Sequence, residues 1–241
     1  MKRGNEAVRL AAYEIRRSYV TMIMTYLVAA IFLANLIIHF SSYMENGTTL
    51  YDFLFITLFA IQPLVPKAKG FEIEVLQEGF MAAPIVMMQK QLPIHHETII
   101  KSRLFVHFFY SFPIHLILLI ALYLATSLHD ILSIGSFVAL CTIWLSYSIC
   151  CGLIIPRISI GIKGFIATNY GITIIVIMLA PVLLMGLTFV HVFFDNGIVY
   201  WSFVLAEQWP VLSIVLSIFI GAIGYFFWIR KMRKAILIHH A

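Results

Sequence analysis

The sequence predicts an all-α integral membrane protein with six transmembrane helices and both termini in the cytoplasm. An amphipathic interface helix precedes the first span, and a long cytoplasmic segment separates spans two and three. Three observations carry this reading. The 241 residues are 62% hydrophobic and 11% charged, against roughly 25% charged in soluble domains. Apolar runs recur at close to the roughly 20 residues needed to cross a hydrocarbon core of about 30 Å. All 16 Lys and Arg residues fall in the two terminal segments and in alternate connections between those runs, the pattern that keeps positive loops in the cytoplasm.

Residues 1–18 form the predicted interface helix. Val8, Ala11, Ala12, Ile15 and Tyr19 recur at helical spacing, with Arg9 and Arg16 on another side, as in a helix lying on the inner leaflet. The alternative is a merely positive flank to the first span. That span follows five basic residues, is long enough to cross and lacks a small-residue cleavage site, so it is read as an anchor and not a signal peptide. The spans are predicted over residues 19–40, 50–65, 104–126, 132–155, 165–190 and 209–229, the second being the shortest. Residues 66–103 form the only sizeable polar segment. A folded domain typically needs about 50 residues or more, so 1–241 is read as one membrane domain.

Lys2, Arg3, Arg9, Arg16 and Arg17 precede span one, and Lys67, Lys69, Lys90, Lys101 and Arg103 lie between spans two and three. Arg157 and Lys163 follow span four, and Arg230, Lys231, Arg233 and Lys234 follow span six. The remaining connections, around Glu45, Asp130 and residues 195–207, contain acids and neither Lys nor Arg. The net charge of +5 is therefore a topology signal and no argument for nucleic acid.

Within the six spans the only acidic side chain is Asp52, near the outer end of the second, and there is no Lys or Arg. Ion-coupled transporters and pumps usually place ionisable groups at mid-membrane. His107 and His115 lie in span three, with His39 and His191 near outer ends. Eight residues is about two helical turns, too far for His107 and His115 to share a metal, so hydrogen bonding within the bundle is expected. The sequence contains no HExxH, no GxSxG, no paired carboxylates in a span and no GxxxxGK[ST] phosphate loop, so neither an enzyme nor an ATPase is expected of this chain. Cys141, Cys150 and Cys151 fall in span four and read as small buried thiols. Pro113 and Pro181 predict fixed kinks in spans three and five. The aromatic cluster of Phe193, Phe194, Tyr200, Trp201, Phe203 and Trp209 reads as an interfacial belt, with a half-crossing helix through "VYWSFVLAEQW" as the alternative.

Most informative is "QKQLPIHHETIIKSRLF" at 89–105. Pro93 suits a helix start, and Glu97 with Lys101 form an i, i+4 pair in the favourable order. A short helix across the inner face is predicted, with His95, His96, Glu97 and Thr98 turned to the cytoplasm and Ile94, Ile99 and Ile100 against the bundle. A protein docking there would push on both flanking spans.

"LPIHHETIIKSRL", residues 92–104, resembles the segment between spans two and three of ABC type-2 permeases, and the six-span layout with an amphipathic leading helix is similar too. The resemblance implies a coupling helix seated in a cleft of a separately encoded ATPase. Leu92, Pro93, Ile94, His95, His96, Glu97, Thr98 and Lys101 would then form the contact. His95 and His96 depart from the serine or threonine and basic residue more usual there. Arg157 and Lys163 in "PRISIGIKG" offer a second, smaller contact, with an ordinary basic turn as the competing reading. Further implications are two ATPase copies holding ATP and Mg, a second permease subunit identical or related to this one, and a bacterial plasma-membrane location. No cofactor would reside in this chain. Spans without fixed charge suit an apolar or amphipathic substrate, and family members of this small design often export antimicrobial or toxic peptides. A channel, or an accessory or immunity-type membrane protein, is the rival.

Overall fold

The computed structural model describes residues 2–61, 68–77 and 79–237. The predicted end of span two at Val65 lies outside them, as do Lys67 and Glu78. The chain runs α1 (Lys2–Arg17), α2 (Tyr19–Ile38), α3 (Phe40–Asn46) and α4 (Thr49–Ile61), then strands β1 (Glu74–Gln77) and β2 (Phe80–Ala82). It continues through α5 (Pro84–Gln91), α6 (His96–Ala125), α7 (Leu128–Ile131), α8 (Ile134–Gly152), α9 (Ile154–Ile160) and β3 (Ile162–Lys163). A 3₁₀ turn at Phe165–Ala167 precedes α10 (Asn169–Phe194), α11 (Ile198–Gln208) and α12 (Pro210–Leu237).

Helices dominate, and among the described residues five are long and apolar enough to cross a membrane: α2, α6, α8 with α9, α10 and α12. The protein is an all-α membrane protein on that ground. α4 is apolar but has 13 residues, about 20 Å at about 1.5 Å per residue, short of the hydrocarbon thickness.

Two predicted boundaries shift for local reasons. α10 starts at Asn169 and not near 165, because the Thr168 side chain accepts a hydrogen bond from the Gly171 amide at 2.9 Å and caps the helix. α12 continues past residue 229 to Leu237, carrying its basic residues on a helix. Pro113 and Pro181 both sit inside unbroken helices.

α6 is the central helix. It buries Ile99, Ile100, Leu104, Val106, Ile114, Leu118, Leu119 and Leu122 along its length. One core surrounds its later half, with stacked Tyr51, Phe55 and Phe59 from α4, Trp144 from α8 and Phe203 from α11. A second core surrounds its beginning, formed by Val86, Leu153, Ile160, Met232, Ala235 and Ile236.

Among the described residues, α8 and α12 share the most extensive helix packing, and small residues allow it. A Cβ on Gly221 would press on Ser146, and one on Gly224 would meet Sγ of Cys150. Ser213 and Ser217 continue this line of small residues on α12, the composition by which helices approach closely in lipid. Trp228 donates from Nε1 to the Cys150 carbonyl at 2.7 Å.

α1 packs on the bundle through a stripe that only partly coincides with the predicted one. Its bundle-facing stripe is Ala7, Ala11, Glu14 and Ser18, all buried, while Val8 and Tyr19 of the predicted apolar stripe are exposed. Small residues on that stripe let α1 press against α6; Ile15 packs beside them, while Val8, Tyr13 and Tyr19 face outward.

Candidate functional site

The residues predicted to dock a partner gather at the end of the bundle where α6 begins. α5 starts with Pro84 in its first turn, where a missing amide costs nothing. The Ala83 amide donates to the Ser159 carbonyl at 3.0 Å. The chain then turns through residues 92–95. His95 closes the turn as the N-cap of α6, its Nδ1 accepting from the Glu97 amide at 3.3 Å.

This corrects the expected short helix starting at Pro93. Pro93 lies in the turn, and the helix that starts at His96 is the same 30-residue helix that forms the third span. The short surface helix is α5, on the other side of the turn.

The predicted contact residues divide by exposure. Leu92 (55% exposed), Pro93, His95 and Lys101 face outward. Ile94 and His96 are half-buried. Thr98 is buried and turned away from the surface it was expected to face, because the first turn of α6 packs against the second core. Glu97 pairs with Arg233 of α12 and not with Lys101: Arg233 donates from Nε to Oε1 at 2.6 Å and from Nη2 to Oε2 at 3.3 Å.

The second predicted contact is joined to the first. β1, β2 and β3 form a small antiparallel sheet in that order, with Phe80 opposite Lys163 and Met81 opposite Ile162. The Gly164 amide donates to the Gly79 carbonyl at 2.9 Å, and Lys90 Nζ donates to the Ile160 carbonyl at 2.9 Å. Burial, with Arg157 close by, lowers Lys90 from its ordinary 10.5 to about 8. Lys163 is exposed, whereas Arg157 folds back to donate to the Gly161 carbonyl at 2.5 Å. One continuous platform therefore carries Leu92, Pro93, His95, Lys101 and Lys163.

α1 is tied to this end by an ion pair the sequence reading missed. Arg103 Nη1 lies 2.5 Å from Glu14 Oε2, both side chains almost completely buried. The one signal available was Glu14 sharing a helical face with Ala7 and Ala11.

At the opposite end, Asp52 holds α11 in place. Its Oδ1 accepts from the Tyr43 hydroxyl at 2.8 Å and from the Val199 amide at 2.9 Å, and the Tyr43 oxygen accepts from the Tyr200 amide at 2.9 Å. A carboxylate at a helix N-terminus satisfies free amides and suits the helix dipole. A Cβ on Gly197 would collide with the Asp52 carboxylate. Burial and the neighbouring Asp52 both raise the Tyr43 hydroxyl above its ordinary pKa.

α11 is consequently a packed helix, burying Val199, Ser202, Phe203 and Ala206. Of the predicted aromatic cluster, Phe193, Phe194, Trp201 and Trp209 are exposed and Phe203 is buried. Between α4, α8, α10 and α11 lies an apolar cavity of about 910 Å³, lined by Ile56, Trp144, Tyr147, Leu187, Trp201 and Leu205 among others. Its one hydroxyl from serine, Ser202, is already engaged, accepting from Trp144 Nε1 at 3.1 Å and donating to the Val199 carbonyl at 2.6 Å.

His115 is fully buried, its ring stacked on Phe59 with centroids 4.6 Å apart. Among the described residues, no three His, Cys, Asp or Glu side chains converge as a metal site would require. No family model, curated protein or solved structure matches the chain.

Proposed function

We propose that this chain is the membrane-spanning permease subunit of an ATP-driven ABC exporter, working with a separately encoded ATPase. The observation that carries the reading is the turn at 92–95. It presents an exposed leucine, proline and histidine on a platform braced by α9, β3 and the end of α12, and it leads without interruption into the 30-residue α6. A load applied at that turn passes along a rigid helix to the apolar cores around α4, α8 and α11.

In this reading α4 belongs to the second of six spans. Both termini and the platform are cytoplasmic, as the positions of Lys and Arg favour, and the membrane is the plasma membrane. Two ATPase copies bind beneath two permease subunits and hold ATP and Mg. Closure of the ATPases on ATP moves the two platforms and opens the route outward. The apolar lining of the 910 Å³ cavity, within the roughly 300–1,000 Å³ of ordinary ligand sites, favours an apolar or amphipathic substrate, with a hydrophobic peptide as the leading class.

The test is co-purification of the tagged chain with the products of its neighbouring genes, followed by an ATPase assay. The native chain is expected to retain a phosphate-loop ATPase, and the surface variant Leu92→Asp with Lys101→Glu to lose it while keeping its helical circular dichroism. Retention of no phosphate-loop protein by the native chain overturns the reading in favour of an accessory protein or channel.

A further inference from the structure

A second cavity, of about 540 Å³, lies between the last turns of α1 and the segment leading to α5. Its wall combines two cations, Arg17 and Lys69, with an apolar floor of Tyr13, Phe71, Ile85 and Met88. Tyr13 and Phe71 meet as a tilted pair with centroids 5.9 Å apart.

Backbone hydrogen bonds shape this wall. The Ala68 amide donates to Ser18 Oγ at 3.2 Å, the Phe71 amide to the Ala68 carbonyl at 2.9 Å, and the Ile85 amide to the Gly70 carbonyl at 3.0 Å. Gly70 sits at φ 88°, a conformation that favours glycine. Arg17 and Lys69 are thus presented from two elements that are tied together at Ser18.

Position supplies the ligand class. Ser18 is the junction between α1 and α2, and α2, a candidate span, begins at the next residue. The cavity therefore opens where an apolar helix enters the bilayer, at headgroup level. Among the described residues, no carboxylate lines it. Two cations above an aromatic and aliphatic floor match an anionic headgroup with the first methylenes of its tails.

We propose that this cavity binds the headgroup of an anionic membrane phospholipid, clamping α1 to the platform segment. The site is independent of the ATPase reading and stands or falls separately from it.

The experiment is native mass spectrometry of the full chain in mild detergent, titrated in parallel with phosphatidylglycerol, phosphatidylcholine and inorganic phosphate. One phosphatidylglycerol per chain is expected to be held more tightly than phosphatidylcholine. Arg17→Gln and Lys69→Gln should each weaken retention about fivefold, the equivalent of about 1 kcal/mol for a basic residue near an anionic surface. Arg17→Lys should recover most of it. Arg9→Gln and Arg16→Gln, exposed positions outside the cavity, should leave it unchanged. Equal losses in those controls would reduce the effect to diffuse charge and overturn the proposal. So would displacement of the lipid by inorganic phosphate, or equal retention of phosphatidylcholine. Should Arg17→Gln fail to fold, Lys69→Gln, on a separate loop, decides the matter.

Discussion

α6 and α10 are similar in length and both strongly apolar, yet they stand in opposite relations to the rest of the molecule. α6 is buried along most of its course and carries Arg103, His107, Ser111 and His115 inside the bundle. α10 buries Gly171 and Leu187 and leaves Val176, Ile177, Met178, Val182, Met185 and Phe189 exposed. Hydropathy identifies both as crossing helices without separating them. Polar residues within an apolar run do separate them, since such groups in lipid need protein partners. α6 organises this chain, and α10 offers its faces to lipid or to another chain.

Substitutions should sharpen the contrast. The largest expected loss is at the buried ion pair. Either Glu14→Ala or Arg103→Ala strands its partner's charge and should cost about 3–5 kcal/mol, read as a fall in thermal stability in detergent. Losses confined to a few tenths of a kcal/mol would mean that water reaches the pair.

Next come matched truncations on the two helices. Leu119→Ala on α6, where the side chain is almost fully buried, should cost about 2–5 kcal/mol. Val182→Ala on exposed α10 should stay within about 0.5 kcal/mol. Equal losses in a detergent-solubilised sample would show that α10 is covered by a second subunit that survives extraction.

The smallest effect expected is at Lys90, which loses its proton near pH 8 in the folded chain and near 10.5 when unfolded. Between those values the unfolded chain holds more protons, so stability should rise with pH across about 8 to 10.5. Lys90 is only half-buried, which keeps the rise modest, and Lys90→Met should abolish it. A flat profile in the native chain would place Lys90 in water.

Much of the helical course was legible because apolar length in a membrane protein is a direct physical constraint. The starts of α2, α8 and α12 fall within two residues of the predicted ones. The candidate site was legible as a segment but not as a shape. Pro93 and the favourable Glu97–Lys101 spacing describe an isolated helix well. What decides their environment is α12, whose Arg233 reaches Glu97 across 136 residues of sequence. The small sheet escaped notice because "EVLQ" and "FMA" are too short to show an alternating pattern. Glu14 escaped because one acid on a basic surface helix looks solvated until its partner on α6 is known.

The pairing of β2 with β3 also bears on how the chain is made. Phe80 waits for Lys163, so the ribosome must deliver all of α6 through α9 before the third strand exists. At about 5–20 residues per second that interval is roughly 4–17 s. Throughout it the edge of β2 that will receive β3 has no strand to pair with. The nascent chain thus has a stage at which its exposed surface differs in kind from that of the finished one, and α9 with its strand closes that stage.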